Sequence, residues 1–239
     1  ALEDSTRAIE LTPDQAKARH NRALIYLRLG QPRLAIDDCT RAIGLEPGMA
    51  KAYATRGLAR LRLGELPEAL DDSTRAIELM PDQPGPYCNR GLVYARLGKR
   101  GDAEADFTRA ILLAPELPEP YSDRGDLYLT LGRPDAAIRD YDRVIELAPQ
   151  TEDVYSRRGT AEVIAGRLDR AAEDFARALA MRPDAPTAYF GRALLHYANK
   201  EYAAAWGDVK RGQELGGTPN PQFLRALSEA SDPGQSGGS

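Results

Sequence analysis

Two cysteines, Cys39 and Cys88, and two histidines, His20 and His196, are the whole supply of thiol and imidazole in 239 residues. So sparse a set excludes a disulfide framework and a Cys-rich zinc site. Neither cysteine has a histidine or acid at a spacing that suggests a nucleophile, and no glycine-rich phosphate loop stands apart. No apolar run approaches the length of a membrane span, and no basic-then-apolar segment opens the chain. An excess of either charge is also missing. Lys and Arg total 32 against 36 Asp and Glu, a formal net charge of −4, which argues against a general nucleic-acid binder. No catalytic, cofactor-binding or metal-binding residue is expected, and the compartment is left open.

What the chain does have is a repeat. The period is 34 residues, and the blocks run 16–49, 50–83, 84–117, 118–151, 152–185 and 186–219. Ala35, Ala69, Ala103, Ala137, Ala171 and Ala205 share one position. Twelve residues later stand Pro47, Pro81, Pro115, Pro149 and Pro183, with Gly217 in the last block. Gly30, Gly64, Gly98, Gly132 and Gly166 fall in register, and Tyr53, Tyr87, Tyr121, Tyr155 and Tyr189 open five blocks. Each block reads as two amphipathic helices, the first stopped by glycine and the second by proline. Gly57, Gly91, Gly125 and Gly159 permit close helix approach, and Leu45, Leu79, Leu113 and Leu147 are expected to plug the seam to the next unit. One pair cannot bury its apolar stripes alone, so neighbours must stack.

This pattern closely resembles the tetratricopeptide repeat family from Ala1 to about Thr218. The resemblance implies an all-α, right-handed superhelical solenoid of antiparallel helix pairs. Residues 1–15 match only a second helix, so a partner first helix is expected upstream. Residues 16–219 form six units, 220–231 a capping helix, and 232–239 a flexible tail. There are departures. Arg19 stands where other blocks have Tyr, Arg60 and Glu162 replace the aromatic of Tyr26, Tyr94 and Tyr128, and Asn199-Lys200 replaces Leu-Gly.

Two charged columns are the most regular polar feature. Arg22, Arg56, Arg90, Arg124, Arg158 and Arg192 recur in first helices, and Asp38, Asp72, Asp106, Asp140, Asp174 and Asp208 in second helices. Antiparallel pairing brings each Arg opposite an Asp. A third column, Arg41, Arg75, Arg109, Arg143, Arg177 and Arg211, lies three residues beyond each Asp and can reach it along the helix. An Asp between two Arg that pins the hairpin is the structural reading, favoured over an anion-binding ladder. Neutralising one such partly exposed pair is expected to cost no more than about 1 kcal/mol. Cys39 occupies the place of Phe107, Tyr141 and Phe175, hence a small buried hydrophobe. The histidines read as surface or packing residues.

In the family, ligands lie along a concave face lined by the first helices. The resemblance therefore selects Lys17, His20, Asn21, Leu24 and Arg28, then Lys51, Thr55, Leu58 and Arg62, then Asn89, Leu92 and Arg96 as partner-binding residues. Leu24, Leu58 and Leu92 would form an apolar floor between basic residues. Further on, Glu119, Asp123, Asp126 and Asp153 make the face acidic, followed by Arg157 and then Phe190, Leu194 and Tyr197. The family's clamp for chaperone C-termini is matched only by Asn21 and Lys51, with Thr55 in place of Arg, so a clamp is not expected. The implied function is a protein–protein interaction scaffold for a protein or peptide, an acidic segment with apolar anchors, with no nucleic acid and no membrane insertion. Two alternatives stand beside it. Asn21 and Asn89 are similar to the groove asparagines of protein O-linked N-acetylglucosamine transferases, which would make the array a regulatory or substrate-recruiting part of a larger enzyme. A homo-oligomer could also form through the open N-terminal end.

Overall fold

The computed structural model describes residues 2–231 and, within them, nothing of the Glu152 side chain; the expected tail, 232–239, lies outside the described residues. Among these residues there are fourteen helices and no strand. They are α1 (Leu2–Leu11), α2 (Ala16–Arg28), α3 (Pro32–Leu45), α4 (Ala50–Leu63), α5 (Leu66–Leu79), α6 (Pro84–Arg96) and α7 (Arg100–Leu113). Then follow α8 (Pro118–Thr130), α9 (Pro134–Leu147), α10 (Glu152–Ile164), α11 (Leu168–Met181), α12 (Pro186–Ala198), α13 (Tyr202–Glu214) and α14 (Pro221–Ser231). Neighbouring helices pair and the pairs stack, which is an all-α repeat solenoid. The chain divides into two compact units, Ala1–Asp123 and Arg124–Ser239.

Each first helix ends because the chain turns left-handed. Gly30, Gly64, Gly98, Gly132 and Gly166 take φ of +66° to +79°, where a Cβ is penalised. The next amide then reaches back to the helix, as Gln31 N–H does to the Tyr26 carbonyl at 2.9 Å. The α12–α13 pair keeps this geometry without glycine. Lys200 sits at φ +63°, and Glu201 N–H donates to the His196 carbonyl at 2.8 Å. The hydrogen-bond pattern thus overrides the residue's own preference.

Side-chain size is matched inside each hairpin. A Cβ on Gly91 would lie 2.7 Å from the Phe107 ring, one on Gly125 2.7 Å from Tyr141, and one on Gly159 2.9 Å from Phe175. Where the aromatic is absent the glycine is dispensable: Ala23 stands with Cys39 and Ala193 with Val209, all buried. At Gly57 the helices approach closely even without a ring, a Cβ there lying 3.0 Å from Ser73 Oγ, and among the described residues the buried Ser73 hydroxyl finds no partner. The seam residue expected at Leu45 is instead 41% exposed. Ala16, Ala42 and Ala52 fill that junction, with Ile43 and Met49 against them, because small residues let the backbones close first. At the far end, α14 buries Leu227 against Ala193, Ala205 and Val209.

The Arg and Asp columns meet. Arg22, Arg56, Arg90, Arg124, Arg158 and Arg192 each donate through Nε and Nη2 to both oxygens of the Asp sixteen residues on, at 2.6–2.9 Å. Nη1 reaches the preceding second helix as well: Arg22 to Thr6, Arg56 to Thr40 and Arg158 to Asp142. One guanidinium therefore ties its own hairpin to its neighbour, and Thr6 docks α1 in the same way. Arg22, Arg56, Arg90, Arg124, Arg158 and Arg192 also lie over Tyr rings, 5.4–5.8 Å from the centroids. The third column does not share this role. Arg75, Arg143 and Arg211 pair with Glu78, Glu146 and Glu214 on the exposed helix surface, because the Asp carboxylates are turned into the hairpin.

Two departures prove to be substitutions in kind. Tyr87, Tyr121, Tyr155 and Tyr189 donate their hydroxyls to the carbonyl of the proline six residues back, at 3.0–3.3 Å. Arg19 donates to Pro13 O in the same way, through Nε at 3.2 Å and Nη2 at 2.9 Å. Arg60, in an aromatic position, adds a second guanidinium to Asp72 at 2.8 Å.

Because the Asp side chains retain only 4–10% exposure, the small cost expected for an open pair does not apply. Replacing Arg90 by Met leaves Asp106 charged and buried, and unfolding in urea should show a loss of about 3 kcal/mol. Arg90→Lys should recover only part of it, since an ammonium cannot bridge both oxygens. In the opposite direction, Lys200→Gly removes a left-handed Cβ penalty and should raise the stability of the second unit by about 1 kcal/mol, read as a higher melting temperature.

Candidate functional site

The first helices of the opening three pairs, α2, α4 and α6, lie side by side in the first unit. Their sequences, AKARHNRALIYLR, AKAYATRGLARLRL and PGPYCNRGLVYAR, contain no Asp or Glu at all. The acids belong to the second helices, where Asp38, Asp72 and Asp106 neutralise Arg22, Arg56 and Arg90. Arg60 is neutralised by Asp72. Lys17, Arg19, Arg28, Lys51, Arg62 and Arg96 remain, and among the described residues none of these six has an ion-pair partner. The face is therefore basic although the chain is acidic overall.

A ladder joins these helices. Arg62 Nη1 donates to the Leu27 carbonyl and Arg96 Nη1 to the Leu61 carbonyl, both at 2.6 Å. Each guanidinium satisfies a carbonyl in the last turn of the preceding first helix, where the backbone carries partial negative charge. Asn89 Nδ2 donates to Ala54 O at 3.0 Å, and His20 Nε2 lies 3.0 Å from Thr55 Oγ1. All four contacts span 35 residues, one repeat plus one position. Sequence reasoning compared equivalent positions and so missed them; the signal was a polar residue one place beyond its counterpart in the previous block.

The residues selected from sequence thus separate. His20 is buried, and burial first, then the Lys51 charge, lowers its pKa, so it serves as a neutral link to Thr55 rather than a cation on the face. Thr55 and Asn89 are likewise engaged between helices. Leu58 packs against both the Ala23–Leu27 and the Leu61–Val93 clusters, and Leu92 against the latter; both are half-buried. Of the expected apolar floor, Leu24 is the exposed member at 38%. Lys17, Asn21, Arg28 and Lys51 are exposed, as are Arg62 and Arg96 despite their backbone bonds.

Of the expected acidic stretch, Asp126 and Asp153 lie in the second unit and are compensated. Arg157 bonds Asp126 and Asp153, and the Tyr141 hydroxyl donates to Asp126 at 2.7 Å. Burial, then the neighbouring Asp126, raises the Tyr141 pKa. Glu162, in an aromatic position, is buried against Arg167. His196 Nδ1 meets Glu201 at 2.6 Å. Both thiols are free and are pushed up to about 12 by burial, helped at Cys88 by Asp123 and Glu119, which makes them poor nucleophiles. Among the described residues no group of three or more His, Cys, Asp or Glu could hold a metal ion, and no helix is long and apolar enough to cross a membrane.

Comparison with known proteins bears on the fold. Tetratricopeptide repeat models match residues 88–152 and 156–212, and a further one matches 16–49; a TPR repeat model matches 57–98. Among curated proteins none matches the chain. Of solved structures, one of the APC/C hetero-tetramer Cut9–Hcn1 superimposes with a TM-score of 0.84 at 16% identity over 95% of this chain, which spans only 45% of that one. YrrB, described as a TPR protein with an unusual peptide-binding site, gives 0.58 at 22% identity over 80% of this chain and 99% of its own. A repeat protein from Parabacteroides merdae ATCC 43184 gives 0.70 at 21% identity, over 96% and 90%. At such identities the structures speak for the fold. The 34-residue period, the Arg–Asp-pinned hairpins and the matched models together place this chain in the tetratricopeptide repeat family.

Proposed function

We propose that the chain is an interaction scaffold whose α2–α4–α6 face holds an acidic peptide segment with apolar anchors. One observation carries the reading: three adjacent helices have no acidic residue, while the exposed Lys17, Arg28, Lys51, Arg62 and Arg96 have no carboxylate partner among the described residues. On these same three helices Arg22, Arg56, Arg60 and Arg90 are all paired with aspartates, which sets the unpaired cations apart on the face. Carboxylates on a partner supply the missing charge, speeding encounter, while apolar contacts beside Leu24 slow release. Asn21 is exposed and free to bond an extended backbone, whereas Asn89 already holds Ala54. Repeat proteins of this family bind proteins or peptides in general, and peptide binding is what YrrB is described by.

Lys17, Arg28 and Lys51 are the residues to reverse, since Arg62 also caps α2 and its loss would disturb the fold. The triple Lys17→Glu, Arg28→Glu, Lys51→Glu variant should bind a Glu-rich peptide at least about tenfold more weakly at 50 mM salt, with the difference shrinking toward 500 mM. Fluorescence anisotropy reads this, with circular dichroism as the check on folding. Equal affinity and equal salt dependence in the two proteins would overturn the assignment of this face.

A further inference from the structure

At the second position of each block the chain carries Lys17, Lys51, Glu119, Asp153 and Thr187, but in the third block it carries Gly85. Gly85 lies in the first turn of α6, and a Cβ built on it would meet nothing within 4 Å. No close packing requires this glycine, unlike Gly57 or Gly91. The fifth residue of the second block is another small one, Ala54, where other blocks have His20, Cys88, Ser122, Ser156 and Phe190. The two small residues face one cleft of about 150 Å³, lined also by Ala50, Met80, Pro84 and Pro86, with Lys51 and Gln83 as its polar members.

The geometry points to a subsite for one bulky apolar side chain, of leucine or phenylalanine size, with a carboxylate beside it in the bound peptide held by Lys51. This deepens the proposed function and rests on it. Size supports it, since an apolar cavity of comparable volume accommodates a benzene ring. Rigidity supports it too. Pro84 and Pro86 flank Gly85 on a fixed helix start, so the walls are in place before binding and little ordering cost remains. Charge fixes the occupant. The Lys51 ammonium has no ion-pair partner among the described residues, and the first helices around it carry only cations. A lone apolar side chain on a neutral or basic segment would leave that ammonium unused, whereas an acidic neighbour engages it. Leu24 lies on α2 and outside this lining, so the cleft gives the segment an anchor of its own.

The test uses isotope-labelled protein and two short capped probes, acetyl-Glu-Leu-Glu-amide and acetyl-Glu-Ala-Glu-amide, followed by NMR titration. The leucine peptide should shift the amides of Lys51, Ala54 and Gly85 and bind roughly tenfold more tightly than the alanine peptide, from the apolar area it buries. Gly85→Leu, which has room and improves helix propensity, should fold normally, occupy the cleft and abolish that difference while leaving weak, salt-sensitive binding of both peptides. If both peptides bind the native protein equally and Gly85→Leu changes nothing, the subsite is wrong and the basic face survives. If neither peptide shifts any of Lys17, Arg28, Lys51, Arg62 or Gly85, the basic face falls and the subsite with it.

Discussion

Everything in this structure is hung on the bidentate bond between a first-helix arginine and a second-helix aspartate. A buried carboxylate is costly to desolvate, and only a partner that bridges both oxygens offsets the loss of water. Arg22 through Arg192 do this at 2.6–2.9 Å, and the geometry of the fork fixes how far the two helices can rotate about each other. The third nitrogen then reaches back to Thr6, Thr40 or Asp142 in the preceding helix. Hairpin closure and repeat stacking are consequently one event rather than two, which is the physical basis for treating each repeat as stable only next to another.

With the helices so positioned, packing follows a rule of paired sizes. A ring at Phe107, Tyr141 or Phe175 demands glycine opposite it, and Phe175 presses on Gly191 as well. Removing the ring relaxes the demand, as Ala23 with Cys39 shows. Gly57 with Ser73 follows neither half of the rule and leaves a buried hydroxyl unsatisfied. That hairpin is also the one in which Asp72 is clasped by two arginines, Arg56 and Arg60.

The fold was legible because the period never slips, so every core position recurs six times and local noise averages out. The Arg–Asp columns were legible for the same reason. What escaped was anything displaced from register. Arg62 to Leu27, Arg96 to Leu61, Asn89 to Ala54 and His20 to Thr55 each join one position to the next position along, in the adjoining block. Burial depth escaped too: the pairs looked half-open in sequence, and only coordinates show the aspartates enclosed. The third arginine column was misread at Arg75, Arg143 and Arg211, where a spacing of three permits two partners, Asp before or Glu after, and the choice depends on which way the Asp side chain is already committed. Of the candidate site, the cations of α2, α4 and α6 were visible as residue types, but not that His20 is a neutral link or that Leu58 and Leu92 of the apolar floor are half-buried.

The same displaced bonds bear on how such a face can recognise a partner. A long side chain that must be immobilised on binding loses rotamer entropy, and a surface of freely moving lysines and arginines therefore gives weak, poorly oriented contacts. Arg62 and Arg96 avoid this, since one nitrogen of each is already fixed on a helix-end carbonyl while the charge stays exposed. Lys17 and Arg28 have no such tether, so on the proposed reading their contribution would be mainly the long-range field that salt screens. On the proposed reading, a basic face built from two kinds of cation would separate attraction from alignment: the mobile ones would raise the encounter rate, and the tethered pair, one repeat apart, would set the register in which carboxylates of an extended segment settle.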